Sequence, residues 1–157
     1  MAEIAPSERM KAVLALARRM RSAIELLAPE FRPFNMKSFP KSACGDTCLL
    51  LGTYLADKGY DTFRTDCGDR GRQEDRNFSS HAWLSDDSLI VDITADQFGD
   101  GPGPVVVAVQ SAWHSTFELG KSRTCNLRDY SEQSVYPLIG TYYKLRPWLF
   151  DDSDHSK

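Results

Sequence analysis

An α+β domain is the fold class this sequence predicts, and three segments predict it. Met10, Val13, Leu14, Ala17, Met20, Ile24 and Leu27 recur at three-and-four spacing, as the apolar stripe of an amphipathic helix does. Cys44 to Gly59 is a Leu-rich run of helix length that ends on a glycine, the residue a left-handed helix cap favours. Ser79 to Ser85 and Ser88 to Thr94 are strand-like and separated by Asp86-Asp87, which predicts an antiparallel hairpin.

The remaining elements follow in chain order. Ser7 is placed to cap the first helix, which is expected to run to about Leu27, ahead of Pro29. Glu30 to Lys41 is a connector, and its Phe31, Phe34 and Phe39 either line a cleft in front of Cys44 or enter the core. Asp61 to Cys67 reads as a strand, and Gly68 to Asn77, dense in charge and glycine, as an exposed mobile loop. Val105 to Val109 has the length and β-branching of a buried strand. Glu132 to Phe150 reads as helical stretches interrupted at Pro137 and Pro147, with Tyr142, Tyr143, Trp148 and Phe150 packing the chain end on the core. Residues 1–150 are expected to form a single domain, and 151–157, which lack apolar side chains, a disordered acidic tail.

Composition narrows the function classes. A chain of 157 residues with net charge −3 and 41% hydrophobic residues is that of an ordinary globular domain large enough for one substantial core. Arg18, Arg19 and Arg21 cluster, but no basic patch argues for a nucleic-acid partner. No stretch is long and apolar enough for a membrane span, and Met1 to Arg9 lacks the order of a signal peptide. A cytoplasmic protein is the expectation, with secretion as an effector left open. The four cysteines show no paired metal-binding spacing, so neither a metal nor another cofactor is expected, and a disulfide framework is not expected either.

The chemistry is concentrated in three residues. A thiol in the first turn of a helix feels the positive end of the macrodipole, which favours the nucleophilic thiolate, and Cys44 holds that place. With Asp86-Asp87 as a two-residue turn, Trp83 pairs with Ile90, Ala82 with Val91, and His81 with Asp92. Directly opposed side chains share a sheet face with Cβ atoms roughly 5 Å apart. Asp92 would then hold the His81 tautomer while the other ring nitrogen addresses a thiol. His81, Trp83, Ile90 and Asp92 form one face of the hairpin; Ala82, Leu84, Leu89, Val91 and Ile93 form the other, turned to the core.

Ala43-Cys44-Gly45-Asp46 at a helix start, the strand ending Cys67-Gly68, then His81-Ala82-Trp83 and Val91-Asp92-Ile93-Thr94 together resemble the transglutaminase-like branch of the papain-like cysteine protease superfamily. The resemblance spans roughly Phe39 to Phe98. It implies a nucleophile-bearing helix packed, with the N-terminal helix, on an antiparallel sheet of about four or five strands. It also implies Cys44 as nucleophile, His81 as base and Asp92 as the residue that orients the base. The activity implied is a cysteine-dependent amide hydrolase, a peptidase or amidase working through an acyl-thioester on a protein or peptide substrate. Two alternatives stay open: a protein-glutamine deamidase or transglutaminase-like acyltransferase, and a non-catalytic binding module on the same fold.

One departure bears on the oxyanion. Papain-like peptidases place a glutamine several residues before the nucleophile, and this chain has no glutamine upstream of Cys44. Its backbone N–H supplies one donor; Asn35, Gln97 and Gln110 are candidates for the second. Trp83 and Trp113 are candidates to line a substrate tunnel. Cys48, one turn after Cys44, is expected to be buried, Cys67 structural, and Cys125 a loop residue without chemical importance. His114 is the only rival base, and with no carboxylate near it before Glu118 it reads as a surface or pocket-rim residue.

Overall fold

Helix α1 (Pro6–Leu26) forms where the apolar stripe predicts it, with Val13, Ala17, Met20 and Ile24 buried and Lys11, Arg18 and Arg19 exposed. It belongs to a computed structural model that describes residues 6–150, so the expectation of a disordered tail at 151–157 lies outside the described residues. Helix α2 (Cys44–Asp57) ends as its glycine foretells. Gly59 has φ +93°, its N–H donates to the Ala56 carbonyl and the Tyr60 N–H to the Leu55 carbonyl, the paired bonds of a Schellman cap.

Five strands make one antiparallel sheet: β1 (Arg64–Arg70), β2 (Ser79–Ser85), β3 (Ile90–Asp92), β4 (Val106–Ala108) and β5 (Glu118–Leu119). Their order is β4-β3-β2-β1-β5, so the first four form a meander and β5 returns to the far side of β1. Helix α2 lies against β2, and the core joins Leu50, Leu51, Tyr54 and Leu55 of the helix to Ala82, Leu84 and Val91 of the sheet. With α1 and a third helix, α3 (Glu132–Leu149), this is the α+β architecture the sequence predicts.

The hairpin register differs from the expectation. Leu84 pairs with Val91 and Ser85 with Ile90, which leaves Asp86 to Leu89 as a four-residue loop rather than a two-residue turn. The cause is Asp86, whose carboxylate accepts the N–H groups of Ser88 and Leu89 while its own N–H donates to the Leu89 carbonyl. Arg9 and Thr62 also donate to that carboxylate. Leu89 is therefore a buried loop residue, and His81 no longer stands directly opposite Asp92. A displacement of two residues preserves the side each residue faces, so both remain on the predicted face, as a diagonal pair.

Four other expectations are corrected. Gly68, Asp69 and Arg70 belong to β1, paired with His81, Ser80 and Ser79, and only the connection after Arg70 is an exposed loop. Gly68 is needed there, because a Cβ would lie 2.7 Å from the Phe117 Cβ. Strand β4 is a half-buried edge strand, not a fully buried one. Helix α3 runs through both prolines, with its break at Val135 (φ −122°, ψ 15°), so Pro137 sits in the opening turn of the straight part, where no donor is missed. Tyr142 is buried and donates to Asp57 at 2.6 Å, whereas Tyr143 and Trp148 are exposed rather than packed on the core.

Candidate active site

Cys44 is the first residue of α2, entered through Ser42 at φ 61° and Ala43 at φ −106°, ψ 0°. The first helical bond runs from the Thr47 N–H to the Ala43 carbonyl at 2.9 Å. The N–H groups of Cys44, Gly45 and Asp46 therefore lack intrahelical acceptors, and the thiol sits at the positive end of the helix. It is half-buried, beside an exposed Gly45 at which a Cβ would meet nothing within 4 Å. The thiol is thus open to a reactant on one side and enclosed on the other.

On the enclosed side it meets His81. Burial alone would push the Cys44 thiol up, but the hydrogen bond to His81 and that imidazole's charge outweigh it, and the pKa lies below the ordinary thiol value. His81 is 2% exposed, and its Nε2 lies 2.7 Å from Oδ2 of Asp92, itself 2% exposed. Burial would lower the histidine, yet the hydrogen bonds to Asp92 and Cys44 raise it to about 9. Burial would raise Asp92, but hydrogen bonds from His114 and His81 hold it at about 2. The Thr94 N–H donates to Oδ1 at 2.9 Å, so the carboxylate is gripped at both oxygens. An ionised carboxylate only accepts, which places a proton on His81 Nε2 and leaves Nδ1 to face the thiol in the neutral ring.

His114 is not on the surface. It is 3% exposed, and its Nε2 also lies 2.7 Å from Asp92 Oδ2. Its Nδ1 lies 2.6 Å from the Ser111 hydroxyl. Local sequence around His114 could not reveal this, because its carboxylate comes from β3. The available signal was topological: the chain after β4, the neighbour of β3, has to return past Asp92.

Aromatic rings close the site. His81 has Trp83 at 5.6 Å, Phe98 at 5.1 Å, Trp113 at 5.6 Å and Phe117 at 5.9 Å between centroids. Arg70 covers Phe98, Trp113 and Phe117 at 4.6–5.2 Å while its guanidinium takes Asp100 with two hydrogen bonds. From the other side, buried Arg21 donates to the Ile93 carbonyl and to both oxygens of Asp96, tying α1 to the chain that leaves β3. In the sequence Arg21 belongs to a local arginine cluster; its Asp96 partner lies 75 residues away, beyond any local pattern.

The remaining candidates separate clearly. Gln97 stands beside the base, its Nε2 3.4 Å from His81 Nδ1 and 3.1 Å from the Thr94 carbonyl, so its donors face the site's own groups. Asn35 is exposed and hydrogen-bonds Asp46 in the first turn of α2. Gln110 is exposed in the connection after β4. Trp83 is buried as a wall against both histidines rather than placed in a tunnel. Phe31 and Phe34 are exposed, while Phe39 is half-buried beneath Arg21. All four cysteines are free thiols; Cys48 and Cys125 are buried, and burial raises both, Cys125 to about 11.

One cluster invites a metal test. His81, Asp92 and His114 bring donor atoms within 4.8 Å of one another, a convergence the sequence spacing did not foresee. Both nitrogens approach the same carboxylate oxygen at 2.7 Å, a hydrogen-bond length with a proton in each gap. A first-row ion needs about 2.0–2.2 Å to every donor and would have to replace both protons. As it stands, the cluster is a carboxylate clamped between two imidazoles. Comparison of the chain with protein-family models, curated proteins and solved structures finds no match.

Proposed function

We propose that the protein is a cysteine-dependent amide hydrolase, with Cys44 as nucleophile, His81 as base and Asp92 as the residue that orients it. A transglutaminase-like, papain-like core is the architecture that suits this reading, since the nucleophile opens a helix and the other two residues follow on adjacent antiparallel strands. The observation that carries it is the pairing of a depressed Cys44 thiol with a His81 whose far nitrogen lies 2.7 Å from a buried, ionised carboxylate. A structural histidine needs no thiol partner, and a structural cysteine has no use for a helix N-terminus.

In the reaction, His81 Nδ1 takes the Cys44 proton and the thiolate sulfur attacks the acyl carbon of an amide. The carbonyl π pair moves onto oxygen, and the Cys44 N–H at the start of α2 donates to that oxyanion. As the tetrahedral intermediate collapses, the C–N bond breaks and His81 gives its proton to the leaving nitrogen, so an amine departs and a thioester remains. Water then attacks the thioester with His81 again as base, releasing the acid and restoring the thiol. With a lysine amine in place of water the product is a new amide; with a glutamine side chain as donor, hydrolysis is deamidation. The half-open thiol suits a protein or peptide segment laid across the α2 N-terminus.

The test is direct acylation. The protein is incubated with p-nitrophenyl acetate and with glutamine-containing peptides, and its intact mass is followed with and without added amine. A thioester adduct on Cys44 that is absent in Cys44→Ala supports the reading, and the released product distinguishes hydrolysis, deamidation and acyl transfer. An unmodified Cys44 with every acyl donor would overturn it in favour of a binding module.

A further inference from the structure

The Asp92 carboxylate serves two imidazoles, and the reaction above uses only one. Oδ2 lies 2.7 Å from Nε2 of His81 and 2.7 Å from Nε2 of His114. The imidazole hydrogen-bonded to Cys44 is that of His81, which leaves His114 without the base's role. Its ring lies 6.3 Å from the His81 ring at an interplanar angle of 29°, and Trp83 and Trp113 pack against both.

The protons on this array follow from the Asp92 carboxylate. An ionised Asp92 only accepts, so Nε2 of His114 presents a proton to it; in the neutral ring Nδ1 then accepts the Ser111 hydroxyl at 2.6 Å, while the hydroxyl oxygen accepts the His114 backbone N–H at 3.2 Å. Nδ1 of His114 is then an acceptor, and its Nε2 carries the proton. Asp92 receives that N–H and the one from His81 at a single oxygen, while Oδ1 receives the Thr94 N–H at 2.9 Å and the Thr94 hydroxyl at 3.4 Å. Pinned at both oxygens, the carboxylate shares Oδ2 between the two rings, so a movement of Oδ2 away from His81 also disturbs its bond to His114.

We propose that His114, set in its tautomer by Ser111, is a positioning residue that holds Asp92 against His81 and so keeps Nδ1 of His81 aimed at Cys44. The proposal rests on the cysteine-hydrolase reading and adds a fourth and fifth side chain to it. His114 touches neither the thiol nor the reacting acyl group; it acts through Asp92. A neutral N–H at the same place serves equally well, which distinguishes this role from acid–base catalysis by His114 itself.

The test compares wild type with His81→Ala, His114→Ala, His114→Gln and Ser111→Ala. The readouts are the rate of Cys44 alkylation by iodoacetamide at neutral pH and the ring-nitrogen NMR signals of the histidines. In wild type His114 is expected as the Nε2–H tautomer, and His81 as imidazolium at neutral pH that gives way to the Nε2–H tautomer as pH rises past about 9. His114→Ala is expected to slow Cys44 alkylation by about 10- to 100-fold, the equivalent of one hydrogen bond to a charged group. His114→Gln, whose amide N–H can reach the Nε2 position, is expected to return it to within a few-fold of wild type. Ser111→Ala, which keeps the ring and loses only its tautomer lock, is expected to fall between. If His114→Ala is too unstable to label, the last two variants decide: a Gln variant as slow as His81→Ala overturns the proposal. If His81→Ala is slow but no change at His114 or Ser111 alters the rate, His114 is structural and the hydrolase reading stands. A wild-type Cys44 no faster than in His81→Ala overturns that reading, and this proposal with it.

Discussion

Helix α2 carries Cys44 in its first turn and packs Gly52 against Cys125 farther along. Beside Cys125 lies a cavity of about 470 Å³ lined by Arg64, Arg123, Asp61 and Asp129, and beside Cys44 the neighbouring Gly45 opens to space where a Cβ would meet nothing within 4 Å. By volume the Cys125 end looks the better site. The thiols reverse that judgement. Burial pushes both up, but Cys125 Sγ donates to the Phe63 carbonyl and has no cation to favour its charge, so it rises to about 11. Cys44 has the helix N-terminus and His81, and it falls below its ordinary value. What makes a thiol a nucleophile is a partner that stabilises its anion, not the space around it.

The largest test of that contrast is a pair of alanines. Cys44→Ala is expected to reduce amide turnover by about 10⁴-fold or more, whereas Cys125→Ala should leave turnover unchanged, as read by product release from the best acyl donor. A loss in Cys125→Ala comparable to that in Cys44→Ala would break the comparison.

Next comes the carboxylate that links the histidines. Asp92→Asn leaves an amide that cannot accept both N–H groups as an anion does. It is expected to slow Cys44 acylation by about 10²- to 10⁴-fold and to cost about 3 kcal/mol of stability because it breaks a buried charged network. Urea unfolding alongside acylation kinetics checks both parts.

The same residue sets an acid limb. A group depressed in the folded state contributes stability above its unfolded pKa and loses it as pH falls through its folded value. For Asp92, held at about 2 in the fold against about 3.9 in the unfolded chain, the loss falls between about pH 4 and pH 2. It is worth about 2.6 kcal/mol for a shift of that size. Thermal unfolding across acid pH should show the limb in wild type and a shallower one in Asp92→Asn.

Gly52→Ala gives the smallest effect and isolates the other end. A Cβ there would meet the Cys125 carbonyl oxygen and come within 2.5 Å of its Sγ and 2.6 Å of its Cβ. Backbone cannot yield cheaply, so overpacking is expected to exceed the helix-propensity gain and cost about 1–2 kcal/mol. Cys44 reactivity should not change. Denaturant unfolding measures the first, and Cys44 labelling the second.

The same two ends show what a sequence can disclose. Cys44 at a helix start, the glycine at its end, and the facing of His81 and Asp92 were legible because each depends on local periodicity and on side-chain parity along a strand. Even a register displaced by two residues left His81 and Asp92 on one face. The turn itself was misjudged because Asp86 organises a four-residue loop through its side chain, while the reading assumed a backbone turn. Gly68 to Arg70 was read as loop because charge and glycine usually mark solvent; here β2 and β5 recruit them as strand. His114, Arg21 and Arg70 were invisible as site residues because each finds its partner on another element, and Ser111 because its role depends on His114.

The most direct measurement is the rate of iodoacetamide alkylation across pH, with the labelled cysteine mapped by mass spectrometry, in wild type and His81→Ala. The account predicts selective labelling of Cys44 with a midpoint below the free-thiol value of about 8.5, moving up towards it when His81 is lost. A wild-type midpoint at or above that value, or first labelling at Cys48, Cys67 or Cys125, would contradict it.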